Sequence, residues 1–143
     1  MMAPELERAV EQYHHALDEL MTGSADGYRR VWSRRDDVTL ANPFGPPVRG
    51  WERVDQALES AASHYRDGAA IGFERIVTGV TAEMAYLVEI ERVQAKVGSS
   101  DDLTPISVRV TTILRPEAGT WKVVHRHADP ITTPRPAESI LEQ

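Results

Sequence analysis

His125, His127 and Asp129 alternate along an extended stretch near the end of the chain, so a period of two puts two imidazoles and a carboxylate on one face. Such a trio suits a transition metal, and equally suits hydrogen bonding across a contact between two sheets. No distant third ligand accompanies the pair of histidines, and neither a metal nor another cofactor is expected. Arg109 and Arg126 fall on neighbouring predicted strands, where a guanidinium fork in a partly apolar cavity would grip an anion bidentately. The competing arrangement is a solvated or intersubunit ion pair with Glu89 or Glu91, which share one face of their strand. Tyr13, Trp51, Tyr65, Tyr86 and Trp121 offer aromatic walls, although rings at helical or strand spacing mostly pack a core. His14 and His15 are neighbours on a helix and point about 100° apart, so at least one is solvated. Arg29, Arg30, Arg34 and Arg35, followed by Asp36 and Asp37, read as a self-neutralising surface.

The elements that must position these groups are legible from periodicity. Pro4 suits a first helical turn, Glu5 and Glu7 suit its positive end, and Leu6, Val10, Tyr13, Leu17 and Leu20 form one stripe before Gly23. The spacing therefore predicts a helix over 4–22. Ser24 opens a second, to about 33, with Tyr28, Val31 and Trp32 inward; a third spans 51–66, with Trp51, Val54, Leu58 and Tyr65 on its apolar side. A short strand at 37–42 lies between the second and third helices, leading into the turn Asn42-Pro43-Phe44-Gly45-Pro46-Pro47. The remainder alternates as strands, about 70–79, 83–97, 103–115 and 120–128, joined by connections short enough to force antiparallel neighbours. Helices followed by such a meander make an α+β fold, in which a cone-shaped curved antiparallel sheet wraps three N-terminal helices around an internal cavity.

With 143 residues the chain predicts one domain, 1–129, followed by a proline-rich tail, 130–143, whose Ile131, Ile140 and Leu141 are candidate anchors. Sixteen Lys and Arg against 22 Asp and Glu leave a charge of −6, which disfavours nucleic acid. The absence of cysteine, of a basic-then-apolar leader and of any long apolar run predicts a cytoplasmic protein that engages no membrane. Tyr86, Val88 and Ile90 lie on one face of their strand and Leu87 and Val93 on the other. A sheet apolar on both sides must be covered on both, so a homodimer through the outer sheet face is expected.

Two segments carry a family resemblance. Asn42 to Gly50, NPFGPPVRG, is similar to the strand-turn-helix junction of the nuclear transport factor two-like superfamily, which includes SnoaL-like proteins and ketosteroid isomerases. Gly119 to His127, GTWKVVHRH, resembles the last strand of SnoaL-like domains and of the calcium/calmodulin-dependent kinase association domain. The likeness spans roughly 4–129 and implies the fold more than any one activity. Where the isomerases carry an aspartate base this chain has Asn42, whose amide takes up no proton, and their helix-one tyrosine falls on Ala16, with Tyr13 one turn earlier. The kinase domain's pocket arginines fall on Thr111 and Ala128, each two residues from Arg109 or Arg126 on the same face.

The resemblance implies a protein that binds a polar or anionic small molecule, of isomerase, cyclase, lyase or hydrolase type; the alternative is a non-catalytic oligomerisation or ligand-sensing module. The candidate ligand-contacting residues are Tyr13, Asn42, Tyr65, Tyr86, Arg109 and Arg126, and no catalytic residue is singled out.

Overall fold

The computed structural model describes residues 3–142. Helix α1 (Pro4–Leu20) buries Leu6, Ala9, Val10, Tyr13, Ala16, Leu17 and Leu20, the stripe expected from the sequence with two alanines added. Helix α2 (Asp26–Val31) is shorter than predicted because Trp32 turns extended and bridges Val123, while the Ser33 amide donates to the Val123 carbonyl at 2.9 Å. Sheet hydrogen bonds thus replace the last helical turn. Helix α3 (Trp51–Ala62) likewise stops short of residue 66, since Tyr65 already pairs with Val97 and opens a strand.

Six strands follow one another in space as β2 (Val48–Arg49), β1 (Thr39–Ala41), β6 (Thr120–Asp129), β5 (Thr104–Glu117), β4 (Ala85–Val97) and β3 (Tyr65–Val80). The long strands pair antiparallel, as their short connections require. Strand β1 departs from an all-antiparallel sheet: it runs parallel to β6, with Thr39 opposite His125 and Ala41 opposite His127. The chain from 42 to 119 supplies the long return that parallel neighbours need. The sheet is curved and not closed, and β3 bends through three register shifts. At one of them Asp67 takes φ 55°, and a Cβ on Gly68 would fall 2.1 Å from the Gln94 carbonyl oxygen. Only glycine lets the strand pass that close.

Strand β4 alternates strictly, its buried Ala85, Leu87, Glu89, Glu91, Val93 and Ala95 facing the helices and Tyr86, Val88, Ile90 and Arg92 facing away. Two carboxylates therefore stand on the inner face of an otherwise apolar strand. Beyond β6 the tail carries one 3-10 turn, Ala137–Ile140, and Ile140 and Leu141 are exposed, so these two anchors do not dock on their own protomer. No described helix is long and apolar enough to cross a membrane.

Candidate functional site

Cross-strand partners share a face, so register decides which charged groups meet. Thr112 pairs with Arg126 on one side and Leu87 on the other, and Glu91 stands four residues beyond Leu87 on the same β4 face, within diagonal reach of the long Arg126 side chain. Arg126 donates from Nη1 to Glu91 Oε2 and from Nη2 to Glu91 Oε1, both at 2.7 Å, in a bidentate fork with both partners buried. Nη1 also donates to the Tyr13 hydroxyl at 2.5 Å, and that hydroxyl lies 2.7 Å from Thr112 Oγ1. The guanidinium carbon sits 5.7 Å from the ring centroids of both Tyr13 and Tyr28, so aromatic faces cover the cation. Burial disfavours the charge on Arg126, but Glu91 and the two tyrosines outweigh it and hold its value well above the ordinary one. Burial pushes the Tyr13 phenol up to about 12, against the pull of Arg126, so it stays a neutral hydroxyl. These side chains occupy the space between helices and sheet where the sequence predicts a cavity.

One polar atom in this cluster is unmatched. The Tyr28 hydroxyl is fully buried and has no hydrogen-bond partner among the described residues. Burial raises its value well above 10.0, so it is a neutral hydroxyl with a proton to donate. Such a group forfeits its hydration with nothing in return, at about 1–3 kcal/mol.

A second ionic group adjoins the first, because His14 follows Tyr13 and Glu89 precedes Glu91 by one period of the strand. Glu89 Oε1 accepts from His14 Nε2 at 2.9 Å, Glu89 Oε2 accepts from Arg75 Nε at 2.8 Å, and the His14 ring stacks on Phe73 at 3.6 Å. Burial pushes the Glu89 carboxyl up, yet His14 and Arg75 outweigh it and hold the carboxyl below its ordinary 4.5. A carboxyl depressed in the native state adds stability above its unfolded value and loses it as pH falls through the native one. Wild-type urea midpoints should therefore fall between pH 5 and pH 3, and Glu89→Gln should be weaker at pH 7 and flatter across that window; an identical slope would remove Glu89 from the acid response.

Toward the open end of the cone lie the proline-rich turn and α3. Asn42 Oδ1 accepts from the Phe44 amide at 3.0 Å, so this side chain shapes the turn. Phe44 packs over His64 and Tyr65, with centroids 4.7 and 5.9 Å apart, beside a cleft of about 170 Å³ that includes Asn42, Phe44, Ser60 and Ala61. Tyr65 is half-buried; desolvation raises its phenol, while Arg126 and Glu91 act on it from behind.

Tyr86 and Arg109 lie on the opposite face of the sheet. Arg109 pairs across strands with Asp129, an odd number of residues from the Thr112–Arg126 pair, and donates from Nε to Asp129 Oδ1 at 2.7 Å in the open. The two arginines therefore never converge into one fork. Tyr86 covers Gly79, where a Cβ would lie 2.0 Å from its ring, and remains 44% exposed. His125 and His127 share that outer face: His125 Nδ1 is 2.8 Å from Thr39 Oγ1, and His127 Nε2 is 3.4 Å from Asp129 Oδ2. Among the described residues no group of three or more His, Asp or Glu is placed to hold a metal ion.

Of the six residues singled out in the sequence, the structure brings Tyr13, Arg126 and Tyr65 into one electrostatic neighbourhood and puts Asn42 in the turn whose Phe44 packs near Tyr65. Sequence reasoning left out Thr112 and Arg75, did not join His14 to Glu89, and treated Tyr28 as packing. Period two along β5 and the inward stripe of α2 carried their signal; the register needed to join them did not show.

The family model described as "SnoaL-like domain" matches residues 6–132. No curated protein matches the chain. Among solved structures, a nuclear transport factor 2-like superfamily protein from Salmonella enterica serovar Typhimurium is 12% identical, with TM-score 0.75 and 94% of each chain covered. A candidate calcium/calmodulin-dependent protein kinase type II association domain from Thiobacillus denitrificans is 22% identical, with TM-score 0.71, covering 92% of this chain and 99% of that one. A candidate dehydratase of the NTF2-like family from Streptomyces avermitilis is 17% identical, with TM-score 0.73, covering 90% and 96%. At these identities the likeness speaks for the fold, one that commonly serves ligand binding or catalysis. Three helices against one open curved sheet, and a family match that runs from α1 past the end of β6, place this chain in the SnoaL-like domain family.

Proposed function

We propose that the chain binds a small polar molecule that enters past Asn42 and Tyr65 and opens the packed cluster at the inner end of the cone, with Tyr28 as the recognising donor. The observation that carries this reading is the buried Tyr28 hydroxyl, unpartnered among the described residues and set against Arg126 and the Tyr13 ring. A carbonyl or similar oxygen on a ligand satisfies it. The Tyr13 hydroxyl is less free to serve, since it already accepts from Arg126 and shares a proton with Thr112. An uncharged acceptor suits the site better than a carboxylate, because Glu91 engages both terminal nitrogens of Arg126 and Arg109 faces the other way.

Thermal-shift titration of wild type and Tyr28→Phe with matched panels of small amides, lactones, ketones and carboxylates tests the reading. At a concentration about a hundred times Kd, an uncharged binder should raise the wild-type Tm by about 5–10 °C. It should raise Tyr28→Phe far less. Equal shifts in both proteins, or shifts from carboxylates alone, would overturn the assignment.

The outer sheet face supports the second reading, an oligomerisation surface. Val77 and Tyr86 are each at least 40% exposed there, beside Val88 and Ile90. A second copy stacked on this face covers them, giving a light-scattering mass near twice 15.9 kDa at micromolar concentration. Tyr86→Glu should return the mass to that of a monomer; a wild type already monomeric at that concentration would remove the dimer.

A further inference from the structure

A surface cleft of about 370 Å³ lies where the end of α2 meets β6, walled by Arg29, Arg30, Trp32, Arg34, Glu117 and Lys122. The basic run that forms its rim is not neutralised by the aspartates that follow it in sequence. Asp37 instead accepts from Arg115 of β5, at 2.6 and 2.7 Å. Arg29 is held by Asp26, Asp55 and Glu59. The others are weakly compensated or not at all. Arg30 reaches Glu19 only at 3.4 Å. Arg34 donates to the Arg29 carbonyl at 3.2 Å and lies over the Trp51 ring at 5.2 Å, while Lys122 Nζ donates to the Arg30 carbonyl at 2.8 Å. Neither cation forms an ion pair with a carboxylate among the described residues.

The single acid of the cleft is itself occupied. Glu117 Oε2 accepts from Ser33 Oγ at 2.6 Å and from Arg115 Nε at 2.9 Å, with Arg35 at 3.5 Å. Trp32, 1% exposed, forms part of the wall, and its Nε1–H has no partner among the described residues. An indole nitrogen only donates, as do guanidinium and ammonium groups, so apart from the second oxygen of Glu117 the unmet valence of the cleft is for acceptors.

We propose that this cleft is a second binding site, separate from the cone, which takes the phosphate of a small phosphomonoester between Arg34, Lys122 and Arg30, with the Trp32 indole donating to one phosphate oxygen. A dianion with acceptor oxygens on every side matches several convergent cations and a buried neutral donor better than a carboxylate does. The cleft exceeds the volume of inorganic phosphate, so there is room for an organic substituent. The cations are few and local on a chain of charge −6, which favours a small ligand over a polyanion.

Titration of the full chain with phenyl phosphate, inorganic phosphate and phenylacetate, followed by the indole N–H resonances in 15N-correlated NMR spectra, tests this. Trp32→Phe identifies the relevant resonance among the three tryptophans. Phenyl phosphate should move the Trp32 resonance downfield and saturate, inorganic phosphate should bind more weakly at the same place, and phenylacetate should bind at least tenfold more weakly than phenyl phosphate. Arg34→Gln with Lys122→Gln should weaken phenyl phosphate at least tenfold, whereas Arg8→Gln and Tyr28→Phe should leave it unchanged. Equal affinity in the double variant, a Trp32 resonance that stays still, or phenylacetate binding as well as phenyl phosphate would overturn the proposal. Since Tyr28→Phe reports on the cone alone, failure at either site is distinguishable from failure at the other.

Discussion

Replacing Glu91 by alanine should cost the fold about 3–5 kcal/mol, the penalty for leaving a buried cation unpaired. Arg126 sits under two aromatic rings with Glu91 as its carboxylate, and burial by itself disfavours its charge. Once the carboxylate is gone the guanidinium has to draw in water or break away from α1. The second course also breaks the Arg126–Tyr13 bond that ties β6 to α1. Urea unfolding at pH 7 measures the loss directly. Glu91→Leu combined with Arg126→Met should recover most of it, because a buried ion pair exchanged for apolar groups of similar volume is often neutral or stabilising. A double variant as weak as Glu91→Ala alone would mean that the cluster stabilises the fold through more than its charges.

The helices and long strands were legible because each buries one face, and burying one face writes a period of 3.6 or 2 into the residues. The boundaries were less so. Trp32 and Tyr65 read as helical from their spacing, but both are taken by the sheet, whose hydrogen bonds to Val123 and Val97 are long-range and leave no local mark. The parallel pairing of β1 with β6 escaped for the same reason. At the site, side-chain types pointed to the right strands while parity decided the outcome. Arg109 and Arg126 are both plausible anion ligands until the pairing of Thr112 with Arg126 is known, after which their odd separation places them on opposite faces. Glu91 was a candidate partner of Arg126 only in a solvated or intersubunit pair, and that the pair is buried within one chain again required register. The charge run at 29–37 misled by proximity: neighbours in sequence on a turn need not be neighbours in space, and Asp37 found Arg115 instead.

Removing the Tyr28 hydroxyl should make the unliganded protein more stable, by about 1–3 kcal/mol, which at this chain length is a rise in Tm of roughly 2–10 °C. Most substitutions of a fully buried residue destabilise, so the sign itself is diagnostic. Phenylalanine keeps the ring that packs on Tyr13 and covers Arg126, and it leaves no new void beyond the volume of one oxygen. What disappears is a donor that gave up water on folding and found no acceptor among the described residues. If the hydroxyl serves only packing, the variant gains stability and loses nothing. If it serves a ligand, the gain comes with the loss of binding, the exchange expected where a site holds a polar group ready at the expense of the fold. Differential scanning calorimetry of wild type and Tyr28→Phe, each alone and with the strongest uncharged binder, separates these cases. A less stable unliganded Tyr28→Phe would show that the hydroxyl already has a partner in the free protein, and would take away the premise on which the cone is read as a binding site.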